Sequence, residues 1–382
     1  MTSPAASERP IPFSKASYDE REIEAVRAAL AVQACGDGPA GRRVEARLAA
    51  QLGAHRVLLT TSGTHALELA LLALGIGPGQ EVVCPSFTFV SSANAVLRVG
   101  ARPVFADIEE RTLGLDPEDV ERRLTPRTRA IIPVDYAGVA PDMDALGALA
   151  RRHRLNVVED AAQGIAATWR GRALGTLGDA GCLSFHETKN VSCGEGGALV
   201  VGDPELAARA EIAREKGTNR SAFLRGQVDK YTWVAEGSSY VLSDVLAAIL
   251  ETQLDKLDAL QVKRARVVAR YREQLADWAR SRGVELAPQL PERTENHHIF
   301  RLLYPDPQAR DAALRSLRSR GVMATFHYVP LHSSPHGRAI GADLAPLPVT
   351  DRVAATLLRL PLHAELSDAD VERVIEAVRE TA

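Results

Sequence analysis

The chain has 382 residues, of which 46% are hydrophobic and 25% charged, with a net charge of −3. This composition is typical of a folded enzyme with one large core and a smaller one, and it lacks the excess of basic residues found in nucleic-acid-binding proteins. Residues 1–10 contain no apolar signal core, and the most hydrophobic stretch, 66–76, is too short to cross a bilayer and contains Glu68. We therefore expect a cytoplasmic protein that binds neither nucleic acid nor membrane.

Short β-branched runs alternate with helical patterns over the first half of the chain. Seven strands are predicted, at residues 56–60, 81–84, 102–105, 130–134, 155–158, 181–185 and 198–201. Helical patterns such as 66–74 and 143–153 lie between most of them, as expected for βαβ units. The prediction is an α/β fold with a mainly parallel sheet of about seven strands, in a large domain from residue 12 to residue 254.

The remainder of the chain has a different pattern. One long helix, possibly broken, is predicted from residue 243 to about 280, rich in Ala, Leu, Arg and Asp. Beyond it, strand-like runs at 298–303 and 322–326 flank a predicted helix at 309–320, and 368–379 forms a closing helix. We expect a smaller C-terminal α+β domain over residues 255–382.

Lys189 is one of only six lysines in a chain with 46 lysines and arginines, and it precedes the glycine-rich run 194–197. An amine can lose its proton and form a Schiff base with an aldehyde, whereas a guanidinium stays protonated. Asp160 follows a predicted buried strand, where a carboxylate could keep the ring nitrogen of pyridoxal phosphate (PLP) protonated. Either residue alone would more often be a surface charge or a helix cap. Together they predict a cofactor site.

The order of these features resembles the sugar aminotransferases of the DegT/DnrJ/EryC/StrS family. Both halves of the family pattern are present: Glu-Asp-Ala-Ala-Gln at 159–163, and Ser-Phe-x-x-x-Lys followed by Gly-Glu-Gly-Gly within 184–197. The resemblance implies the fold of fold-type I PLP-dependent transferases, which is aspartate aminotransferase-like, with PLP as cofactor and Lys189 and Asp160 as catalytic residues. Dehydratases of the family have histidine in place of the lysine, so Lys189 favours transamination.

The cofactor phosphate needs backbone N–H groups at a helix start. Thr-Ser-Gly-Thr at 61–64 follows the first predicted strand and opens a helix, although such a motif is more often only an N-cap. The resemblance assigns Ser62, Gly63 and Thr64 to the phosphate, together with the hydroxyl of Ser184.

Three further cofactor contacts are implied by the resemblance. Phe87 matches the aromatic residue that stacks on the cofactor ring, and the alternative is a core phenylalanine. Gln163 matches the position that hydrogen-bonds the phenolic oxygen, where other members have histidine; both side chains can donate this bond. Ser239 occupies the place of an asparagine that reaches the phosphate of the neighbouring subunit, so a weaker hydroxyl contact is expected.

The segment 216–233 holds four cations and three aromatic residues. Such a run is usually solvated surface, but cations pair with a diphosphate and aromatic rings can stack on a base. The segment, like most of the chain, is similar to the family transaminases that make dTDP-4-amino-4,6-dideoxygalactose. The resemblance implies a dTDP-sugar substrate, dTDP-4-keto-6-deoxyglucose, and glutamate as donor. The expected substrate-binding residues are Lys216, Arg220, Lys230, Tyr231, His327 and His332.

Fold-type I aminotransferases build each site at a subunit boundary, so the resemblance also implies a homodimer in which part of 216–233 lines the partner's site. Three alternatives stay open: an aminotransferase for a 3-keto sugar nucleotide or a keto-cyclitol, a non-catalytic PLP-binding regulator, and a subunit that uses 216–233 only as an interface. No metal site is expected, because the histidines at 297, 298, 332 and 336 have no acidic residue at ligand spacing and the four cysteines form no CxxC motif.

Overall fold

The computed structural model describes residues 9–342 and 345–381. In this part of the chain no helix is long and apolar enough to cross a membrane. The helices in chain order are α1 (Glu20–Val32), α2 (Pro39–Leu52), α3 (Gly63–Ala73), α4 (Val90–Arg98), α5 (Pro117–Arg123), α6 (Met143–His153), α7 (Pro204–Arg214), α8 (Arg220–Leu224), α9 (Asp244–Asp255), α10 (Leu257–Arg282), α11 (Pro307–Ser319), α12 (Pro335–Ala339), α13 (Pro348–Thr356) and α14 (Asp368–Arg379). The strands are β1 (Arg56–Thr60), β2 (Glu81–Pro85), β3 (Arg102–Ala106), β4 (Thr128–Ile131), β5 (Asn156–Asp160), β6 (Thr168–Trp169), β7 (Arg172–Ala173), β8 (Ala180–Ser184), β9 (Gly197–Val201), β10 (Glu285–Leu286), β11 (Arg293–Thr294), β12 (Phe300–Leu303) and β13 (Leu357–Leu360).

The central sheet has seven strands in the order β1-β9-β8-β5-β4-β2-β3. The pairings among β8, β5, β4, β2 and β3 are parallel, and β9 runs antiparallel to both of its neighbours. All seven predicted strands are in this sheet, and the predicted fold class is confirmed. Successive strand residues face opposite sides: Leu58 packs in one buried cluster and Leu59 in another. Helices cover both faces because both faces are apolar.

The C-terminal part has a second, antiparallel sheet in the order β10-β12-β13. Its own core includes Tyr271 of α10, Phe300 of β12 and Leu358 of β13. The predicted long helix is present as α9 and α10, which are separated at Lys256. The buried amine of Lys256 pairs with Glu22 of α1, so this lysine links the junction between α9 and α10 to α1. The domain boundary at residue 254 remains a prediction.

Two sequence predictions for this part differ from the structure. The run 322–326 forms no strand, and takes part only in single bridges from Val322 to Ile11 and from Thr325 to Arg359. Conversely, β13 was not predicted, because its Leu-Leu-Arg-Leu sequence directly follows α13 without a turn residue. This strand carries Arg359 beside Thr325, next to the residues described below.

The strand directions explain where a site can form. Because β9 is antiparallel to both β1 and β8, strand β1 points the same way as the parallel strands. The carboxyl ends of β1, β5 and β8 therefore meet at one edge of the sheet, where ligands bind in open α/β sheets. Asp160 ends β5, Ser184 ends β8, and the turn after β1 leads directly into α3.

Candidate active site

Asp160 is a buried carboxylate held by two hydrogen bonds. The hydroxyl of Ser92 donates to Oδ2 at 2.7 Å and the N–H of Ala162 donates to Oδ1 at 3.2 Å. Ser92 is itself fully buried and lies 2.9 Å from the hydroxyl of Thr88. Burial raises the pKa of Asp160, while these hydrogen bonds and the nearby Lys189 amine favour its charged form. The carboxylate is thus fixed in direction at the end of β5.

Lys189 lies in the tight loop that joins β8 to β9. Its N–H donates to the carbonyl of His186 at 2.9 Å, and the loop is closed by the bonds from Phe185 N–H to Gly196 O and from Glu187 N–H to Gly194 O. The residue is partly buried. Burial lowers the pKa of Lys189 to about 8, an effect that Asp160 opposes. Near neutral pH the amine is therefore still mostly protonated, but its neutral fraction is far larger than that of an ordinary lysine, and proton abstraction by an amine requires this neutral form.

The start of α3 forms an anion cradle. The first turn of a helix leaves backbone N–H groups without helical partners. Ser62 Oγ accepts one of these, the N–H of His65, at 3.1 Å. A Cβ added to Gly63 would come within 2.9 Å of Ser184 Cβ, so the glycine allows the end of β8 to approach this turn closely. Thr64 Oγ1 lies 2.7 Å from Ser91 Oγ, which joins α3 to α4. The structure thus brings together Ser62, Gly63, Thr64 and Ser184, and their contact with a phosphate remains a prediction.

The structure does not support a stacking role for Phe87. This ring is 0% exposed and packs edge-on against Tyr136 and Tyr328, with centroids 5.2 and 5.5 Å apart, so it has no free face for a cofactor. Phe89, two residues later, is 60% exposed at the N-cap of α4 and accepts the N–H of Ser92, the residue that holds Asp160. Sequence reasoning missed Phe89. No local signal was available, because residues two apart in an extended run share a face and the Phe-Thr-Phe sequence does not indicate which ring is buried.

Gln163 belongs to a group of contacting polar and aromatic residues that includes Tyr328 and His327. Its Oε1 accepts the N–H of Ala137 at 2.6 Å and its Nε2 donates to the Tyr328 hydroxyl at 3.2 Å. The Tyr328 ring stacks on His327 at 4.1 Å. The structure thus brings Gln163 and His327 together, and His327 lies close enough to Lys189 to be affected by its charge. Burial, followed by the Arg359 and Lys189 charges, lowers the pKa of His327 to about 2, so its ring is neutral.

His332 was predicted to bind substrate, and the structure contradicts this. It is only 4% exposed. Its Nδ1 lies 2.8 Å from Ser86 Oγ, which also accepts its backbone N–H, and its Nε2 lies 3.6 Å from Asp351. With both ring nitrogens next to protein groups and almost no exposed surface, His332 holds Ser86 beside Phe87 and does not face the site.

The remaining predicted residues lie on the surface. Lys216, Arg220, Lys230 and Tyr231 are all exposed. Arg220 lies 3.7 Å from Asp37. Among the hydrogen bonds and ion pairs of residues 9–342 and 345–381, none joins these four side chains to Lys189 or Asp160. Within the described chain these four side chains therefore make no direct polar contact with Lys189, and their substrate role remains a prediction.

Ser239 is also exposed, and its backbone bridges to Glu215. The next residue, Tyr240, accepts the N–H of Thr61 at 3.0 Å, so this segment runs beside the turn that opens α3. No contact between Ser239 and the anion cradle is present in the described chain. In the described residues, no three histidine, cysteine, aspartate or glutamate side chains are arranged to hold a metal ion.

These groups fit PLP. The helix start offers N–H groups for a phosphate, Asp160 offers a buried carboxylate for a ring nitrogen, and Lys189 offers an amine of lowered pKa for an aldehyde. The three features lie at the carboxyl ends of β1, β5 and β8, so one planar group could contact them together.

Comparison with known proteins agrees with this geometry. Residues 16–379 match the DegT/DnrJ/EryC1/StrS aminotransferase family. The aminotransferase TlmJ from Streptoalloteichus hindustanus is 37% identical, with a TM-score of 0.89 over 97% of this chain and 98% of TlmJ. DesV from S. venezuelae, solved with a ketimine intermediate, is 36% identical, with a TM-score of 0.87 over 97% of this chain and 98% of DesV. The PLP form of the sugar aminotransferase Spr1654 from Streptococcus pneumoniae is 27% identical, with a TM-score of 0.90 over 97% of this chain and 98% of Spr1654.

The match covers nearly the whole chain, and the identity to TlmJ and DesV is well above the level that shows only a common fold. The chain belongs to the DegT/DnrJ/EryC1/StrS aminotransferase family, and it is a PLP-dependent sugar aminotransferase.

Proposed function

We propose that this sugar aminotransferase moves an amino group from L-glutamate to C4 of dTDP-4-keto-6-deoxy-D-glucose, giving a dTDP-4-amino-4,6-dideoxyhexose. The observation that carries the choice of a nucleotide sugar is the exposed segment 216–233, which is also the part that resembles transaminases for dTDP-4-amino-4,6-dideoxygalactose. A cytoplasmic location is part of the proposal, and fractionation of the source cells tests it.

The charges of this segment support a diphosphate ligand. In the described part of the chain, no carboxylate lies within 4.0 Å of the Lys216 or Lys230 amine, and the Arg220 pair with Asp37 is long. Tyr231 is 57% exposed and Trp233 77% exposed. Exposed aromatic rings beside the unpaired Lys230 are suited to a nucleotide, because a cation can pair with its phosphates and a ring can stack on its base.

We further propose a homodimer with shared sites. The segment contacts its own chain through Asp37 and Glu211 and has no polar contact with Lys189 in the described residues. In a dimer, the segment of one copy could lie against the site of the other and bind the nucleotide of a substrate whose sugar reaches that copy's Lys189. In a dimer with twofold symmetry, a single interface places the segment of each copy against the site of the other.

The residues have distinct tasks in this reaction. PLP, when bound, supplies an electron-withdrawing ring and an aldehyde that can carry the amino group. Asp160 keeps a proton on the ring nitrogen, and Ser92 and Ala162 hold its carboxylate in position. The neutral amine of Lys189 takes the proton from the α-carbon of glutamate and, in the second half of the cycle, returns a proton to C4 of the sugar.

Product analysis tests the choice of substrate. The purified enzyme is incubated with glutamate and either dTDP-4-keto-6-deoxyglucose or its 3-keto isomer, and NMR locates the new amine. We expect amination at C4, and the coupling constants then show whether the amine is axial or equatorial. Amination of the 3-keto isomer alone would refute the proposed substrate and favour the alternative substrate class.

A further inference from the structure

Asp135 is a buried carboxyl group that no hydrogen-bond donor of the protein contacts. Its side chain is 0% exposed, and neither of its oxygens receives an N–H or O–H from the described chain. In the same part of the protein, no lysine, arginine or histidine nitrogen lies within 4.0 Å of it. Burying an ionised carboxylate without an opposite charge or a donor is strongly unfavourable, so this group requires another explanation.

The polar neighbour of the Asp135 side chain is a second carboxyl group, Glu159 of β5. The backbone N–H of Asp135 donates to the carbonyl of Asp160 at 3.1 Å, so the chain beyond β4 lies directly beside the end of β5. The two carboxyl groups are in hydrogen-bonding contact. Glu159 is also 0% exposed. Two ionised carboxylates have only acceptors to offer each other, so a hydrogen bond between them requires a proton.

The donors around the pair show which residue carries this proton. Oε1 of Glu159 accepts the N–H of Gly175 and Oε2 accepts that of Leu177, each at 2.7 Å, which favours the charged form of Glu159. Asp135 has no such donors. The arrangement that satisfies both groups is therefore a neutral Asp135 whose O–H donates to the Glu159 carboxylate.

The charges that face Asp135 favour the same assignment. They are Glu159 and Asp160 on β5 and Arg293 on β11. Burial, followed by the negative charge and hydrogen bond of Glu159 and the charge of Asp160, raises the pKa of Asp135, while Arg293 opposes this. Burial also raises the pKa of Glu159, which the bond from Asp135 and the neighbouring N–H groups oppose. Low dielectric surroundings can in this way keep a carboxylic acid neutral near neutral pH.

The turn that begins at Asp135 supports two groups of the site. Tyr136 packs edge-on against Phe87, with the ring centroids 5.2 Å apart. Ala137 donates its N–H to Oε1 of Gln163 at 2.6 Å and has a φ of 61°, so this donor depends on an uncommon backbone conformation. A charged Asp135 would repel the end of β5, where Gln163 follows the strand.

We propose that Asp135 and Glu159 share one proton, and that neutral Asp135 is a positioning residue that holds the turn 135–138 against the end of β5. The shared proton leaves one negative charge on the pair instead of two, so Asp160 is not the third of three adjacent carboxylates. Asp135 acts through Gln163 and Asp160. The proton is held whichever sugar is aminated, so this inference does not rest on the choice of substrate.

Infrared difference spectra test for the proton. The spectrum of PLP-loaded Asp135→Asn is subtracted from that of the PLP-loaded wild type near neutral pH. We expect the wild type to show the C=O band of a protonated carboxyl group, which shifts in D₂O and is missing from the variant. Loss of carboxylate bands in its place would overturn the proposal, because Asp135 would then be ionised.

Asp107→Asn is the matched control. Asp107 is another buried aspartate, but its oxygens accept the N–H groups of Ile108, Val349 and Thr350 at 2.8 to 3.0 Å. Its substitution should remove carboxylate bands only. If Asp135→Asn does not fold, Glu159→Gln decides the question: its amide can donate to Asp135, so the acid band should disappear there too. Persistence of the band in Glu159→Gln would overturn the sharing of the proton.

The proton also changes how stability depends on pH. In the folded protein the pKa of Asp135 lies above its ordinary value of 3.8, so over the range between the two values the folded state holds a proton that the unfolded chain has lost. This contribution to stability falls as the pH rises through that range. Asp135→Asn carries no such proton. Its melting temperature should therefore gain on that of the wild type between about pH 5 and about pH 8, and a constant difference would overturn the proposal.

The positioning role is tested in the half-reaction with glutamate, in which no sugar is present. Asp135→Leu removes the donor to Glu159, and we expect it to slow this half-reaction by about tenfold or more. Asp135→Asn keeps a neutral donor at the same place, so it should restore most of the rate. A wild-type rate in Asp135→Leu, or equal loss in both variants, would overturn the positioning role. A wrong sugar substrate would leave all of these results unchanged.

Discussion

Removing the hydroxyl of Ser92 should weaken catalysis through Asp160 without touching cofactor or substrate. Ser92 donates to Oδ2 of Asp160 at 2.7 Å, and both side chains are buried. This bond stabilises the carboxylate and not the neutral acid. In Ser92→Ala, the charged form keeps only the longer bond from Ala162 N–H, so the pKa of Asp160, already raised by burial, rises further.

The magnitude follows from the chemistry of the bond. A hydrogen bond to a charged group contributes about 1.5–3 kcal/mol net, and one pKa unit corresponds to about 1.4 kcal/mol. The pKa of Asp160 should therefore rise by about 1 to 2 units, and any step that needs its carboxylate slows by about 10- to 100-fold where that group becomes protonated. The sign follows from linkage: raising the pKa of an acid moves the loss of its charged form to higher pH, so the defect is largest in acid and smaller at high pH.

Stopped-flow measurement of the glutamate half-reaction across pH checks this. The acid limb of the rate profile should move to higher pH by about 1 to 2 units in Ser92→Ala, and Asp160→Asn should bind cofactor but remain slow at every pH. Thr381→Val removes another buried hydroxyl, one that donates only to the carbonyl of Val378, and should behave like wild type. An acid limb that stays in place in Ser92→Ala would refute the role given to the 2.7 Å bond.

Four further outcomes are expected. Borohydride should fix the cofactor onto wild-type protein but not onto Lys189→Ala, as mass spectrometry of the peptide shows. Because burial lowers the pKa of Lys189 from 10.5 to about 8, the stability of cofactor-free protein should rise between these pH values, and calorimetry should find no such rise from this group in Lys189→Met. Phe89→Ala should weaken cofactor binding by about tenfold in a fluorescence titration, if its exposed ring stacks on the cofactor. Mixing Lys189→Ala chains with chains altered at Arg220, Lys230 and Ser239 should restore activity if sites are shared, whereas no recovery after confirmed subunit exchange would exclude sharing.

Sequence patterns predicted the large sheet well for a physical reason. Its strands are buried on both faces, so each is a short apolar run between polar turns, and that signal is local. The same locality explains why Asp160 and Lys189 could be identified, since each lies just beyond the end of such a run. In the C-terminal part the signals are weaker, because β13 joins α13 directly and the run 322–326 makes only single bridges.

The contacts that sequence reasoning missed are those set by packing between distant segments. Nothing local distinguishes Phe87 from Phe89: their exposures differ because Phe87 meets Tyr136 and Tyr328, while Phe89 begins α4. Arg359 is one arginine among many in the sequence. Its place beside His327 and the Phe13 ring becomes apparent only in the fold.

Residues identified from the sequence and residues recognised only in the fold contribute differently to ligand selection. The residues found from sequence, Asp160 and Lys189, serve the chemistry that all aminotransferases of this kind share, so they do not distinguish one substrate from another. Selection between substrates should come from charged groups that have no ion-pair partner within the protein. Such groups bind a charged ligand more favourably than groups that are already paired. By this reasoning the exposed segment 216–233 selects the acceptor. Substitutions in this segment should therefore alter the half-reaction with the sugar and leave the half-reaction with glutamate unchanged.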